Sequence, residues 1–166
     1  MLRSGSVGSF VLIGAMAGVA TISLGAGQFP QVAAPMPAVL RNYSPVTADR
    51  LKNPEDGNWL MIRRTYNGWG YSPLDQITPA NVTRLQPAWV FSTGVTNGHE
   101  APPIVNNGVM FVATPGNQIV AIDAKAGRIL WRYKRPLPED VILLHGTSRG
   151  VALYGNKIFM SQEAQA

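Results

Sequence analysis

The most informative segment of this chain reads Ala121-Ile122-Asp123-Ala124-Lys125-Ala126-Gly127-Arg128-Ile129-Leu130-Trp131. The Asp123 carboxylate can accept backbone hydrogen bonds inside a turn, and Gly127 can adopt the positive φ that such a turn needs. Trp131 then falls on the following strand as a large, flat side chain. The segment therefore predicts two β-strands joined by a turn, with Trp131 as a packing residue, and we expect Trp89 to play the same part.

Short apolar runs separated by Asn/Gly turns continue on both sides of this segment. Asn107-Gly108 and Pro115-Gly116-Asn117 are turn sequences that join antiparallel strands. They predict strands over residues 104–105, 109–113, 118–122 and 128–133. A second unit repeats the order strand, turn, strand over 150–160, and the two turns lie roughly one four-stranded blade apart, as in a β-propeller.

Three further elements are predicted before the first of these strands. Residues 58–62 form an apolar run that ends before the Asn67-Gly68 turn and predict a strand. Thr78 and Pro79 fit the N-cap and the first position of a short helix. Residues 88–92, which include Trp89, predict another strand.

The composition excludes several classes of protein. The chain has 166 residues with Gly 17, Pro 13, Cys 0 and only 14% charged residues, which rules out a disulfide scaffold, a coiled coil and a highly charged disordered tail. The formal charge of +5 comes from scattered basic residues, without the clustered face of a nucleic-acid-binding protein. Because there is no cysteine, packing alone must hold the fold together.

The amino terminus resembles an export signal. Arg3 is followed by a stretch from Ser4 to Gln31 without a charged residue, which predicts a signal peptide over residues 1–26. The alternative is an uncleaved membrane anchor, because the apolar run approaches the roughly 20 residues that span a bilayer. Residues 27–47 are rich in Pro and Ala and predict an extended linker, and residues 48–166 predict the β-rich domain.

The ordered series of motifs in that domain resembles a known family. The motifs are residues 71–78, residues 81–89, Thr93-Gly94-Val95, residues 98–105 and the Asp123/Gly127/Trp131 frame. Together they resemble the amino-terminal part of the methanol/ethanol family of pyrroloquinoline quinone (PQQ)-dependent dehydrogenases, from about Arg50 to Phe159. The resemblance implies an all-β fold, with this chain supplying about the first two to three blades of an eight-bladed propeller.

The same resemblance implies a cofactor site. In the family, PQQ lies near the propeller axis with a calcium or lanthanide ion, a small alcohol is oxidised, and a periplasmic cytochrome c or a membrane quinone accepts the electrons. Glu100 matches the acid that hydrogen-bonds the quinone, and Arg149 matches the arginine that contacts it. The planar guanidinium suits the carboxylates and quinone oxygens of PQQ. The alternative is that Glu100 is a solvated loop acid and Arg149 its surface partner.

One departure from the family concerns the stretch before Arg149. Many members carry a vicinal cysteine pair there, whereas this chain reads Leu143-Leu144-His145-Gly146-Thr147. The departure favours a relative whose quinone is covered in another way. His145 is either a residue of the cofactor pocket or a hydrogen-bonded loop residue.

The length of the chain also bears on its activity. Propellers need about four to eight blades to close, so we expect a fragment of a longer periplasmic enzyme that is inactive alone. The family's catalytic aspartate and metal ligands are expected beyond residue 166. The alternative function is a non-catalytic, PQQ-like propeller scaffold of the outer-membrane assembly type. Glu100 and Arg149 favour the dehydrogenase.

Overall fold

The computed structural model describes residues 36–41, 43–137 and 146–161. The predicted signal peptide, residues 27–35 of the predicted linker, and His145 lie outside the described residues. Within the described ranges, no helix has the length and apolar character needed to cross a membrane.

The regular secondary structure of the described residues consists mainly of β-strands. Two short helices, α1 (Ala38–Arg41) and α2 (Ala48–Lys52), and a 3₁₀ turn (Val82–Arg84) precede them. A four-stranded antiparallel sheet in the order β1-β2-β3-β4 consists of Ile104–Asn106, Val109–Thr114, Gln118–Asp123 and Ile129–Lys134. A separate antiparallel hairpin consists of β5 (Val151–Tyr154) and β6 (Lys157–Met160).

The turns of the sheet follow their sequence signals. Asn107 and Gly108 have φ of 48° and 77°, as a two-residue hairpin requires. In the turn between β3 and β4, Asp123 Oδ1 accepts hydrogen bonds from the backbone N–H groups of Lys125 at 3.0 Å and Ala126 at 3.1 Å. Gly127 has φ 69° and donates to the Asp123 carbonyl at 2.8 Å. The predicted strand–turn–strand segment is confirmed.

Trp131 belongs to a row of packed side chains that crosses three strands of the sheet. Phe111 lies opposite Ala121, and Ala121 lies opposite Trp131. The small Ala121 leaves room for the rings of Phe111 and Trp131, whose centroids are 6.0 Å apart. The register shifts next to Ala121, so that Ile122 pairs with Ile129, and such a bulge re-aims the side chains of its strand.

Trp89 has a different environment, although it is also a packing residue. Its indole Nε1 donates to the carbonyl of Ala124 at 3.0 Å, inside the turn between β3 and β4. A Cβ atom added to Gly127 would lie 2.6 Å from the indole Cγ and Cδ2 atoms. Trp89 therefore fixes the segment before the sheet to a turn of the sheet.

The core joins the sheet to the hairpin and to the segment before α2. Val46 is completely buried and pairs with Gly155 through backbone hydrogen bonds of 2.8 and 2.7 Å. Tyr43 meets Phe111 edge to face, with ring centroids 6.5 Å apart. The buried cluster consists of Val46, Leu60, Ile104, Val109, Phe111, Ala121 and Leu153.

A polar cluster beside this core ties α2 to the β1–β2 turn. Arg50 forms a bidentate pair with Glu55, with N–O distances of 2.7 and 2.9 Å, and also donates to Asn106 Oδ1 at 2.9 Å. Asn106 is fully buried, and its side-chain amide donates to the Ser44 carbonyl at 2.8 Å. The hydrogen bond from Arg50 is the main cause that lowers the pKa of Glu55 from 4.5 to about 2.

The extended conformation predicted for the linker is wrong over Ala38–Arg41, which form α1. Pro37 precedes this run, where proline is compatible with the start of a helix. Val39 and Leu40 pack against the core cluster. Contacts of these partly buried side chains with the core therefore stabilise a helix too short to persist alone in water.

The predicted strands over 58–62 and 88–92 are also wrong. Trp59 forms only an isolated bridge with Val105, and residues 88–92 form no strand. In the second segment the Trp89 ring is held by a turn and Val90 is 88% exposed, so a side-chain contact, rather than strand pairing with the described residues, fixes this segment.

The helix predicted to start at Thr78 is a turn followed by the 3₁₀ turn Val82–Arg84. The Asn81 side chain accepts from the Thr78 N–H at 2.7 Å and donates to the Gln76 carbonyl at 2.8 Å. Local bonds of this kind compete with helix formation.

Candidate functional site

The structure brings Glu100 and Arg149 together. Glu100 lies in the loop four residues before β1, and Arg149 lies two residues before β5. Arg149 Nε is 3.6 Å from Glu100 Oε2, and the two side chains are 81% and 51% exposed. This separation is longer than a hydrogen bond, so each group keeps hydrogen-bonding capacity for a ligand.

The backbone around both residues explains their approach. Gly150 follows Arg149 with φ 136°, a conformation that residues with a side chain rarely adopt. A Cβ atom added to Gly150 would lie 3.9 Å from Pro102 Cδ, so the two loops pass close to each other. Pro102 and Pro103 lead directly from Glu100 into β1 and limit the conformations of that loop.

An open cleft of about 460 Å³ lies beside the pair. Arg149 and Gly150 line it together with apolar side chains, among them Ile62, Pro102 and Phe159. Glu100 does not line the cleft itself and is linked to it through its ion pair with Arg149. A single guanidinium above an apolar wall suits a flat ligand that carries a negative charge at its edge.

Two further polar groups lie next to the pair. His99 precedes Glu100, and its ring nitrogens lie 2.9 Å from the Asn97 carbonyl and 2.9 Å from Thr93 Oγ1. Ser148 Oγ is buried without a hydrogen-bond partner among the described residues. Thr93, Asn97 and Ser148 were not predicted from the sequence as site residues. Thr93 and Asn97 are linked to His99 only by hydrogen bonds of the folded loop, and a serine next to Arg149 is too common to indicate a site.

The described residues contain no group of three or more His, Cys, Asp or Glu side chains that could hold a metal ion. The charged side chains that meet at the candidate site are those of Glu100 and Arg149.

A family model described as PQQ: glucose/ethanol/alcohol dehydrogenase, β-propeller domain, matches residues 59–165. The chain belongs to this PQQ-dependent dehydrogenase family. The resemblance drawn from the motifs is confirmed, and so is the prediction of an all-β, partial propeller.

Individual members of the PQQ-dependent dehydrogenase family are similar to this chain in sequence. The chain is 34% identical over 134 residues to the quinohemoprotein alcohol dehydrogenase ADH-IIG of Pseudomonas putida, covering 79% of this chain and 18% of that protein. It is 39% identical over 126 residues to subunit 1 of methanol dehydrogenase [cytochrome c] of Paracoccus denitrificans, covering 70% of this chain and 20% of that one. The chain thus spans about a fifth of the length of these relatives.

Solved structures show the same fold. The structure of ADH-IIG matches with a TM-score of 0.64 and 33% identity over 72% of this chain and 18% of that chain. A europium-containing methanol dehydrogenase matches with a TM-score of 0.61 and 34% identity over 69% of this chain and 21% of that chain.

Proposed function

We propose that this chain supplies the first blades of a periplasmic, PQQ-dependent alcohol dehydrogenase, in which Glu100 and Arg149 bind the quinone cofactor. The observation that carries the proposal is the approach of these two side chains, from separate loops, to 3.6 Å at the edge of the cleft. Family membership supports the oxidoreductase class.

The residues present fit PQQ. The cofactor is a flat, fused-ring quinone with carboxylates and two adjacent carbonyl oxygens. The apolar wall of the cleft suits the rings, and Arg149 suits a carboxylate or the quinone oxygens. The buried Ser148 hydroxyl, unpaired among the described residues, is a further donor beside Arg149. Gly150 leaves the backbone open to a close approach.

The two charged residues have distinct roles in the proposal. Arg149 binds an anionic or carbonyl oxygen of the cofactor with its planar donors. Glu100 orients the guanidinium and accepts a hydrogen bond from either Arg149 or the cofactor. When bound, PQQ supplies the two-electron oxidation of the alcohol. When the cofactor binds and excludes water, these charge-assisted hydrogen bonds become stronger than those of the exposed pair.

The ion, the substrate and the electron acceptor are proposed by analogy with the family. We propose that the complete enzyme holds a calcium or lanthanide ion through ligands outside this chain, and that it oxidises a small alcohol. A periplasmic cytochrome c or a membrane quinone would accept the electrons. The names of the relatives support both acceptors, since one is methanol dehydrogenase [cytochrome c] and another is alcohol dehydrogenase (quinone) of Gluconobacter oxydans. The 166 residues alone are proposed to be inactive.

Fluorescence titration of the complete enzyme with PQQ tests this function. Losing one charge-assisted hydrogen-bond partner costs about 1.5–3 kcal/mol, so Arg149→Ala should weaken PQQ binding roughly 10- to 100-fold. The matched control is Arg132→Ala, because Arg132 is exposed on β4. Absence of PQQ binding in the wild type would favour the scaffold function instead. Unchanged affinity in Arg149→Ala would remove Arg149 from the site.

A further inference from the structure

We infer that His99 is a positioning residue, which holds the loop that carries Glu100 against the loop that carries Arg149. The consequence for cofactor binding rests on the proposed function. The hydrogen bonds of His99 do not depend on the proposed function, and they can be tested separately.

Both ring nitrogens of His99 have defined partners. The Asn97 carbonyl oxygen can only accept, so Nδ1, which lies 2.9 Å from it, must carry the hydrogen. In the neutral ring, Nε2 then accepts from the Thr93 hydroxyl at 2.9 Å. Thr93 Oγ1 is itself an acceptor for the Val95 N–H at 3.4 Å, so its single hydrogen remains available for His99. The partners assign the Nδ1–H tautomer.

These bonds close a loop that has little other regular structure. Residues 85–103 form no strand, and Gly94 turns the chain with φ 75°. The imidazole joins Thr93 to Asn97 and so closes the part of the loop from residue 93 to residue 99. Because Glu100 is the next residue, the position of its backbone depends directly on this closure.

The same loop contacts the backbone that leads to Arg149. A Cβ atom added to Gly146 would lie 3.3 Å from Asn97 Nδ2, so the Asn97 side chain packs directly on Gly146. The Gly146 carbonyl accepts a hydrogen bond from Gly116 N–H at 3.2 Å, which ties this backbone to the β2–β3 turn. His99 therefore acts on Glu100 through one neighbour and on the Arg149 loop through Asn97.

Paired substitutions at Thr93 separate positioning from folding. Thr93→Val removes the hydroxyl and keeps the shape, whereas Thr93→Ser keeps the hydroxyl. In the full chain labelled with ¹⁵N, the ring signals of His99 can be assigned with His99→Gln, because the sequence contains only two histidines. The Nε–H signal of Arg149 can be assigned with Arg149→Lys, and its shift in Glu100→Gln reports the ion pair.

We expect three results. Wild-type His99 shows the Nδ1–H tautomer, and Thr93→Ser retains it. Thr93→Val changes the Nε2 signal and moves the Arg149 Nε–H signal towards its position in Glu100→Gln. In the complete enzyme, Thr93→Val weakens PQQ binding about three- to tenfold, the effect of one neutral hydrogen bond, while Thr93→Ser leaves the affinity unchanged.

The outcomes that overturn the inference are equally specific. An Nε2–H tautomer in the wild type contradicts the assigned hydrogen bonds. An unmoved Arg149 signal in Thr93→Val, or PQQ affinity equal in Thr93→Val and Thr93→Ser, shows that His99 does not position the site. If the wild-type enzyme binds no PQQ, the proposed function fails, and the two NMR signals still decide whether His99 couples the loops.

Discussion

Trp89 packs so closely on Gly127 that a single added carbon atom at Gly127 would lie 2.6 Å from the indole ring. The indole N–H also bonds to the Ala124 carbonyl in the same turn, at 3.0 Å. The glycine of the Asp123–Gly127 turn therefore has two functions. It supplies the positive φ of the turn, and it leaves the surface on which the tryptophan docks.

Gly127→Ala should destabilise the fold by roughly 2–4 kcal/mol, because the new Cβ meets the Trp89 ring and the residue keeps φ 69°. Thermal unfolding followed by circular dichroism measures the effect. Gly57→Ala is the matched control, since nothing lies within 4 Å of its added Cβ. The double variant Gly127→Ala/Trp89→Ala should lose less than the sum of the single changes. Strict additivity would contradict the contact.

Asn106→Ala should cost roughly 1–3 kcal/mol, because it removes a fully buried amide that donates to the Ser44 carbonyl and accepts from Arg50. Urea denaturation measures the loss of free energy of unfolding. Asn53→Ala, at an exposed position after α2, should change stability by less than about 0.5 kcal/mol. Equal effects at the two positions would show that the cluster around Asn106 is not stabilising.

Glu55 should make stability depend on pH in the acid range. Its pKa falls from 4.5 to about 2 in the folded chain, chiefly through the hydrogen bond from Arg50. A carboxyl group with a lowered folded pKa stabilises the fold fully above its unfolded pKa. This contribution should therefore be lost progressively as the pH falls from 4.5 towards 2.

Glu55→Gln removes the titrating group and tests this dependence. Its unfolding free energy should fall less steeply than that of the wild type between pH 4.5 and 2, the two pKa limits of Glu55. Because the Glu55 side chain is 54% exposed, solvent screening keeps the difference small. Asp49→Asn, on the exposed surface of α2, is the control. Parallel acid profiles for wild type and Glu55→Gln would refute the stabilising role.

The strands of the sheet could be predicted from sequence because their turns carry local signals. Asn107-Gly108 and the Asp123–Gly127 frame specify backbone conformations that few other residues adopt. Helix α1 could not be predicted, since Val39 and Leu40 are stabilised by a core assembled from distant residues. The failure at residues 88–92 has the same origin, because the environment of Trp89 is a turn about 35 residues away.

The candidate site was predictable to a different degree. Glu100 and Arg149 could be named only through a resemblance, and the structure now shows them 3.6 Å apart. Their convergence depends on the close passage of Gly150 and Pro102, which no local pattern encodes. The hydrogen bonds of His99 involve residues two and six positions away, but hydroxyl and amide groups in loops are too common to indicate such a set.

The Glu100–Arg149 pair should contribute little to the free energy of unfolding. In PQQ binding, the two residues should be strongly coupled. Both side chains are more than half exposed and 3.6 Å apart, so a double-mutant cycle of Glu100→Ala and Arg149→Ala on unfolding should give a coupling of about 1 kcal/mol or less. On PQQ affinity, the same cycle should be clearly non-additive, because in the proposed site both residues would act on one ligand that shields them from water. Denaturation and fluorescence titration of the complete enzyme measure the two couplings. The reverse result, strong coupling in stability and additivity in binding, would identify a structural ion pair rather than a cofactor site.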